Sequence, residues 1–433
     1  MIQNLENLET MKRIANKYPF PKMIRVKQKF ESSCISDIPA ELRSEFKRKE
    51  IYNCLNLIAP DNSVAITAGS RGIANMAVII REIVSAVQEK GGSPFVFPAM
   101  GSHGGACADG QKSILDDYNI TEEFVRAPIK ASMDVTYIGD TKDGRPTYID
   151  ALAAAADHII VTNRIKAHTA FRGKYESGLM KMMVIGMGKQ VGAETVHDRG
   201  FGYMADDLQM FGKSIIKHAP ILIGVGIIEN AYDETCRISV LTPDEIISEE
   251  PSLLKYAFSR MGRILFPKID ILIVDRIGKN ISGDGMDPNI TGRFPSPYGS
   301  GMLEAQRVAV LDLTEETHGN CFGVGMGDVT TKRLVDKSNL EIMYINALTS
   351  TLLPATKIPI IAQSHRDAIG ICIKSCNNID RHNPRIVRIP DTLHIKEVQI
   401  SEALLAEAEN DENIEIVGSL EKMDFDDKGN LFR

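Results

Sequence analysis

NSVAITAGSRGIANMAVIIREIVSAVQEKGGSPFVF, residues 62–97, contains one complete strand–helix–strand unit. Val64-Ala65-Ile66-Thr67 is a short apolar run of the kind that fills a strand buried on both faces. Gly69-Ser70-Arg71-Gly72 interrupts it as a turn. From Ala74 to Glu89, Met76, Ile79, Ile80, Ile83, Val84 and Val87 fall on one helical face, and Gly91-Gly92 closes that helix before Pro94-Phe95-Val96-Phe97 resumes as a strand. A crossover helix carries the chain back over the sheet, so the two strands run parallel. Ligands of such sheets bind in the loops beyond the strands' carboxyl ends.

The alternation continues C-terminally. The second strand runs into Met100-Gly101-Ser102-His103-Gly104-Gly105-Ala106, with a helix expected from about Ala108. Residues 151–156 read as helix, and Ile159 to Asn163 as a third strand opening into a loop with Arg164, Lys166 and His168. Ile221 to Ile228 is a further strand, followed by a helix around 243–263. Successive strand ends therefore present Ser70-Arg71, His103 and His168, polar groups suited to one cleft. Near Pro267 the pattern restarts with a strand from Ile269 to Asp275, a glycine-rich loop over 278–293, a strand from Val308 to Leu313 and a helix over 327–338. Apolar runs at 358–362, 368–373 and 386–389 read as strands alternating with helices, the last at 401–410. The first sixty or so residues open as an amphipathic helix, with Leu5, Leu8, Met11 and Ile14 at spacings of three, and continue as a charged, irregular segment. The expected architecture is α/β. It comprises two α/β domains with mostly parallel sheets, a catalytic and cofactor-binding one over 1–265 and a smaller one over 266–433, with the active site in the cleft between them.

Composition narrows the function. A chain of 433 residues with 43% hydrophobic and 25% charged residues is an ordinary globular protein with ample core. Net charge is -7 and no block of five or six basic residues occurs, which disfavours nucleic acid and anionic membrane and points to a small-molecule partner. The seven cysteines are scattered and form no CxxC pair, so they read as reduced thiols and not as a disulfide frame or zinc knuckle. No leader-like segment opens the chain, and no stretch of about 18 uninterrupted apolar residues occurs, so the expected location is cytoplasmic.

The chemistry concentrates in residues 163–198, NRIKAHTAFRGKYESGLMKMMVIGMGKQVGAETVHD. Lys181 stands among Leu179, Met180, Met182, Met183, Val184 and Ile185. A free ammonium is costly there, so the side chain must snorkel, pair, or be covalently neutralised. The methionines read as packing. His103, set among glycines at a strand end, suits proton transfer near neutral pH, while the same loop also fits a phosphate cradle or a turn with an incidental histidine. His168 lies on the next loop. His197 is either a surface residue after a helix or a neutral imidazole ligand to a metal. With no HExxH and no nearby carboxylate cluster, a protein-only zinc site is not supported. Neither Gly186-Met187-Gly188-Lys189 nor the glycines at 323–327 fit a dinucleotide fingerprint.

Taken together these residues resemble the lactate racemase family. Ser177-Gly178-Leu179-Met180-Lys181, with His197 sixteen positions beyond the lysine, is similar to that family's SGGxK motif and distal histidine. The loops of His103 and His168 sit where the family has two catalytic histidines. Ala68-Gly69-Ser70-Arg71 looks like its Asp-x-Thr-Arg cofactor loop, and Asp287-Pro288-Asn289-Ile290 resembles its Asp-Gln-Asn-Ile segment. The likeness spans about 70 to 295, in a fixed order of four parts. Ala68 replaces an acid, Leu179 and Met180 alter the lysine motif, and Thr291-Gly292-Arg293 replaces the residues of lactate-specific members.

The resemblance implies a nickel-pincer nucleotide cofactor, nickel pyridinium-3,5-bisthiocarboxylate mononucleotide, joined to Lys181 as a thioamide, with Ni(II) held by the cofactor and His197. Ala68, Gly69, Ser70 and Arg71 would contact the cofactor. His103 and His168 would exchange protons with the hydroxyl of a 2-hydroxy acid as its carbon inverts, and Asn289, Gly292 and Arg293 would contact the substrate. Cofactor-maturation enzymes follow as partners, and Arg164 and Lys166 stand as further anion contacts or as solvated charge. The expected activity is racemisation or epimerisation of a 2-hydroxy acid. The alternatives are an NAD-type oxidoreductase and a non-catalytic nucleotide- or metal-binding homologue.

Overall fold

The computed structural model describes residues 8–431, so the expected contribution of Leu5 lies outside the described residues. The chain forms two compact units, one holding Glu31–Met261 and the other joining the described residues before Glu31 to those from Gly262 onward.

In the first unit a five-stranded sheet runs in the order Ser93–Pro98, Ser63–Ala68, His158–Arg164, Ile221–Glu229, Thr235–Leu241. The first four strands are parallel and the last is antiparallel. Alternate residues feed opposite faces. Val64, Ile66, Val96, Ile160 and Val225 pack beneath the helix Met76–Glu89, while Ala65, Phe95, Phe97, Ile159 and Val161 pack against Met180, Met183, Leu208 and Leu254. Covering both faces is what makes these strands read as continuous apolar runs. A hairpin of Val135–Asp140 and Pro146–Asp150 lies outside this sheet.

The second unit is built on an eight-stranded sheet ordered Ile360–Ala362, Val329–Thr331, Glu304–Leu313, Lys268–Ile277, Ile386–Ile389, Glu397–Ser401, Lys22–Gln28, Ile414–Lys422. The first five are parallel and the last three antiparallel. Both units are thus α/β with mainly parallel sheets, as the sequence led one to expect.

Three expectations need correction. The N-terminal residues do not belong with the first unit: Lys22–Gln28 pairs on both sides within the C-terminal sheet, with Val26 opposite Val398 and Ile416, and Asn16 Nδ2 donates to Asp367 Oδ1 at 2.8 Å. Such pairing across hundreds of residues leaves no local signal. Residues 368–373 are helix within His365–Ser375, capped by Ser364 Oγ accepting from the Asp367 N–H at 3.1 Å. Every residue from Ala368 to Ile373 is buried, so an apolar run without polar interruption is the signature of a helix covered all round as much as of a strand. The helix expected over 327–338 is Lys332–Lys337 only, preceded by the strand Val329–Thr331, because Thr331 Oγ1 accepts from the Leu334 N–H at 3.1 Å and starts the helix there. Among the described residues no helix is long and apolar enough to cross a membrane.

Candidate active site

Three adjacent parallel strands of the first unit end in the loops that carry Ser70-Arg71, His103 and His168. The first two loops meet: the Ser70 hydroxyl and His103 Nδ1 are hydrogen-bonded, with His103 exposed. Ala68 is the last residue of its strand and fully buried in the core, and Arg71 is exposed. Both loops rest on the segment after Ser177. A Cβ on Gly69 would sit 3.1 Å from Met182 Cε, and the Gly101 N–H donates to the Gly186 carbonyl at 3.1 Å.

That segment is pinned at its start. Lys166 and Ser177 exchange backbone hydrogen bonds at 2.9 and 3.2 Å, closing the His168 loop, and Asn163 Nδ2 donates to the Gly178 carbonyl at 2.8 Å. Glu250, 1% exposed, accepts from the Met180 N–H at 3.0 Å, and a Cβ on Gly178 would lie 2.0 Å from its Oε1. Only glycine lets that carboxyl approach. Burial pushes Glu250 up to about 8, against the backbone donors of Met180 and Leu179. The chain then makes one helical turn over Leu179–Lys181 and widens into a π-helical turn over Met182–Gly186, with the Met187 N–H reaching the Met182 carbonyl at 2.9 Å. Met180, Met182, Met183 and Met187 are all buried, as packing residues should be.

Lys181 resolves its predicament by pairing. Its Nζ lies 2.8 Å from His168 Nε2. His168 is held from behind: its N–H donates to Glu176 Oε2 at 2.7 Å, and its Nδ1 accepts from the Ala170 N–H at 3.0 Å. With Nδ1 accepting from Ala170, the ring turns Nε2 to the lysine nitrogen. Burial holds His168 well below its ordinary value, and positive charge at Lys181, Lys166, His197 or Arg172 opposes its protonation further.

His197 ends the helix Lys189–His197, and its Nδ1–H donates to the Ala193 carbonyl at 2.6 Å, which leaves the lone pair on Nε2. Burial lowers its pKa, the Ala193 bond opposes that, and Lys181 adds to it. The rings of His168 and His197 both flank Phe201, at 6.3 and 5.8 Å, and His168 stacks on Phe171 at 4.4 Å. The Lys181 amine and the His197 imidazole presenting Nε2 form a donor set that fits a tethered cofactor supplying most of a metal's ligands. Among the described residues no group of three or more His, Cys, Asp or Glu could hold an ion without such help.

Other residues singled out in the sequence have structural duties. Arg164 pairs with Glu229, whose other oxygen accepts from the Ala74 N–H at 2.6 Å. In the second unit, Arg293 Nη2 donates to Asp328 Oδ2 at 2.9 Å and to the carbonyls of Ala305 and Gln306 at 3.0 and 2.9 Å. Gly292 ends the short helix Pro288–Thr291 at φ 70°, and Asn289 is buried, donating to Asp287 Oδ1 at 2.9 Å. These three acceptors all fall on Nη2 and fix the guanidinium within the second unit. The sequence offered no sign of Glu250, which reads as one more acid on the helix Pro243–Arg260, nor of Gln111 and Lys189, which lie fully buried beneath the His103 loop.

Residues 53–205 match the model of the lactate racemase N-terminal domain family. No curated protein matches the chain. A solved structure of the lactate racemase apoprotein from Thermoanaerobacterium thermosaccharolyticum superposes with a TM-score of 0.49 at 11% identity, covering 86% of this chain and 99% of that one. A protein of solved structure from Thermotoga maritima gives 0.45 at 9% identity, over 75% and 82%.

Proposed function

This chain is a homologue of the lactate racemase family, with a lactate racemase N-terminal domain over residues 53–205, and on that premise we propose that it is a nickel-pincer nucleotide-dependent racemase or epimerase of a 2-hydroxy acid. The observation that carries the reading is the 2.8 Å hydrogen bond between Lys181 Nζ and His168 Nε2, which joins the tether of the proposed cofactor to a proposed proton-transfer histidine. Lys181 is the tether, and as a thioamide it is neutral, which suits its apolar neighbours. His197 offers Nε2 to nickel, a borderline ion that accepts imidazole alongside sulfur. When bound, the cofactor supplies a hydride acceptor for the substrate's 2-carbon.

The protein's own residues handle the proton. His168 turns Nε2 to the site, and Ala170 and Glu176 fix its orientation, which suits it to exchange a proton with the hydroxyl. His103, steadied by Ser70, is the counterpart for the opposite enantiomer. Each histidine acts as base in one direction and as acid in the other. Phe171 and Phe201 give the site an apolar wall that limits water. Arg71, exposed beside Ser70, would hold an anionic group of cofactor or substrate.

The test is intact mass after co-expression with cofactor-maturation enzymes. The expected result is an adduct on Lys181 that is absent from Lys181→Arg, and racemisation seen by chiral chromatography of a 2-hydroxy acid panel. His103→Ala and His168→Ala are each expected to lower turnover by about 10²–10⁴-fold. An unmodified Lys181 under those conditions overturns the reading.

A further inference from the structure

Beneath the His103 loop lies a polar cluster with no part in the reaction proposed above. Lys189, Asp150 and Gln111 are each 0% exposed. Lys189 Nζ is 3.0 Å from Asp150 Oδ2 and donates to the Pro98 carbonyl at 2.5 Å and to Gln111 Oε1 at 3.1 Å. Gln111 in turn spends its amide NH2 on the carbonyls of Gly101, at 2.9 Å, and His103, at 3.2 Å. Asp150 is itself anchored, its Oδ1 accepting from the N–H groups of Leu152 and Ala153 at 2.8 and 3.1 Å.

The loop needs such a hold. Gly101, Gly104 and Gly105 stand at φ 59°, 66° and 67°, a region in which glycine supplies freedom and no stiffness. A proton-transfer residue works only if its ring is kept within a few tenths of an ångström of its place. Burying a lysine–aspartate pair is a poor way to gain stability, since apolar residues of equal volume do as well. What the pair gives is direction. An ammonium has donors only, so the amide oxygen of Gln111 must face Lys189 and its NH2 must face the loop. Lys189 is also the first residue of the helix whose last residue is His197, so the same side chain ties that helix to the loop.

We propose that Gln111, its amide oriented by the buried Lys189, is a positioning residue for His103, holding the carbonyls of Gly101 and His103 so that the imidazole meets Ser70. The inference deepens the role given to His103 above and rests on that reading for its catalytic meaning alone.

Gln111→Glu is the discriminating variant. It keeps an oxygen for Lys189 and turns a second oxygen onto two carbonyl oxygens in place of the donor. The readouts use the full chain without cofactor. One is the ring ¹⁵N shifts of His103 in histidine-labelled protein, assigned with His103→Gln, which report the hydrogen bond at Nδ1. The other is amide hydrogen exchange of the peptide spanning 99–106. The expected result is loss of the Nδ1 hydrogen-bond signature and exchange about tenfold faster or more in that peptide, with exchange elsewhere unchanged. Unaltered His103 shifts and unaltered loop exchange overturn the proposal. Should Gln111→Glu fail to fold, Gln111→Met is read in the same way, and Lys189→Met combined with Asp150→Asn tests the orienting role. A wild-type protein that takes up no adduct at Lys181 counts against the reaction and leaves both readouts intact, so the two failures are separable.

Discussion

Glu250 is a carboxyl that its surroundings keep protonated at neutral pH. Its folded value of about 8 stands above the ordinary 4.5, because burial penalises the anion more than two backbone donors support it. The stability this lends is complete below pH 4.5 and is lost as pH rises through about 8, since between those values the folded state binds the proton and the unfolded state does not. Urea unfolding at pH 6 and pH 8 is expected to show a loss of about 2 kcal/mol that Glu250→Gln abolishes, the amide being neutral at both. Gly178→Ala drives a methyl to within 2.0 Å of Glu250 Oε1 and is expected to cost about 1–3 kcal/mol in the same measurement. His168 has the opposite sign. Its lowered value makes the neutral ring the native form, so the stability it contributes is present above the ordinary 6.5 and falls as the solution is acidified below it. His168→Gln, which cannot titrate, is expected to flatten the acid side of the unfolding curve, measured by urea midpoints between pH 7 and pH 5.

At the scale of elements, the site depends on how short pieces end and begin. One helical turn and one π-helical turn carry Lys181, held by Asn163, Glu250 and the Lys166–Ser177 bridge and not by helix length. A segment of that size has no intrinsic helical stability, so its place is a tertiary property. The helix His365–Ser375 shows the other side of the matter. Its apolar residues are continuous because it is enclosed, and what marks it as a helix is the Ser364 cap, a signal three residues upstream of Asp367. Ser364→Ala is expected to lower stability by about 1 kcal/mol by calorimetry, since the Asp367 N–H then loses its acceptor.

For the whole molecule, the second unit is completed by residues that precede the first. Lys22–Gln28 lies between Glu397–Ser401 and Ile414–Lys422, so removing residues 1–30 strips both neighbours of their partner and exposes two strand edges. Limited proteolysis of that truncation is expected to degrade the part after Gly262 while Glu31–Met261 resists, and intact protein is expected to protect both. Equal resistance of the two parts in the truncated chain counts against the pairing.

Strand–helix alternation, the parallel sheets and the strand-end loops with Ser70, His103 and His168 were legible in local pattern, because burial on both faces imposes apolar runs and a crossover helix imposes its periodicity. Lys181 was legible as a problem, an amine among methionines, and its partner was not, since His168 reaches it by the closure of a loop that no spacing encodes. Glu250, Gln111 and Lys189 look like ordinary polar residues in sequence. Only the fold buries them, and burial is what turns a surface acid into a protonated carboxyl and a surface lysine into a fixed hydrogen-bond donor. The placing of the first strand was likewise a tertiary decision, because hydrogen bonds between strands hundreds of residues apart depend on which edge is vacant and not on the composition of the strand that fills it.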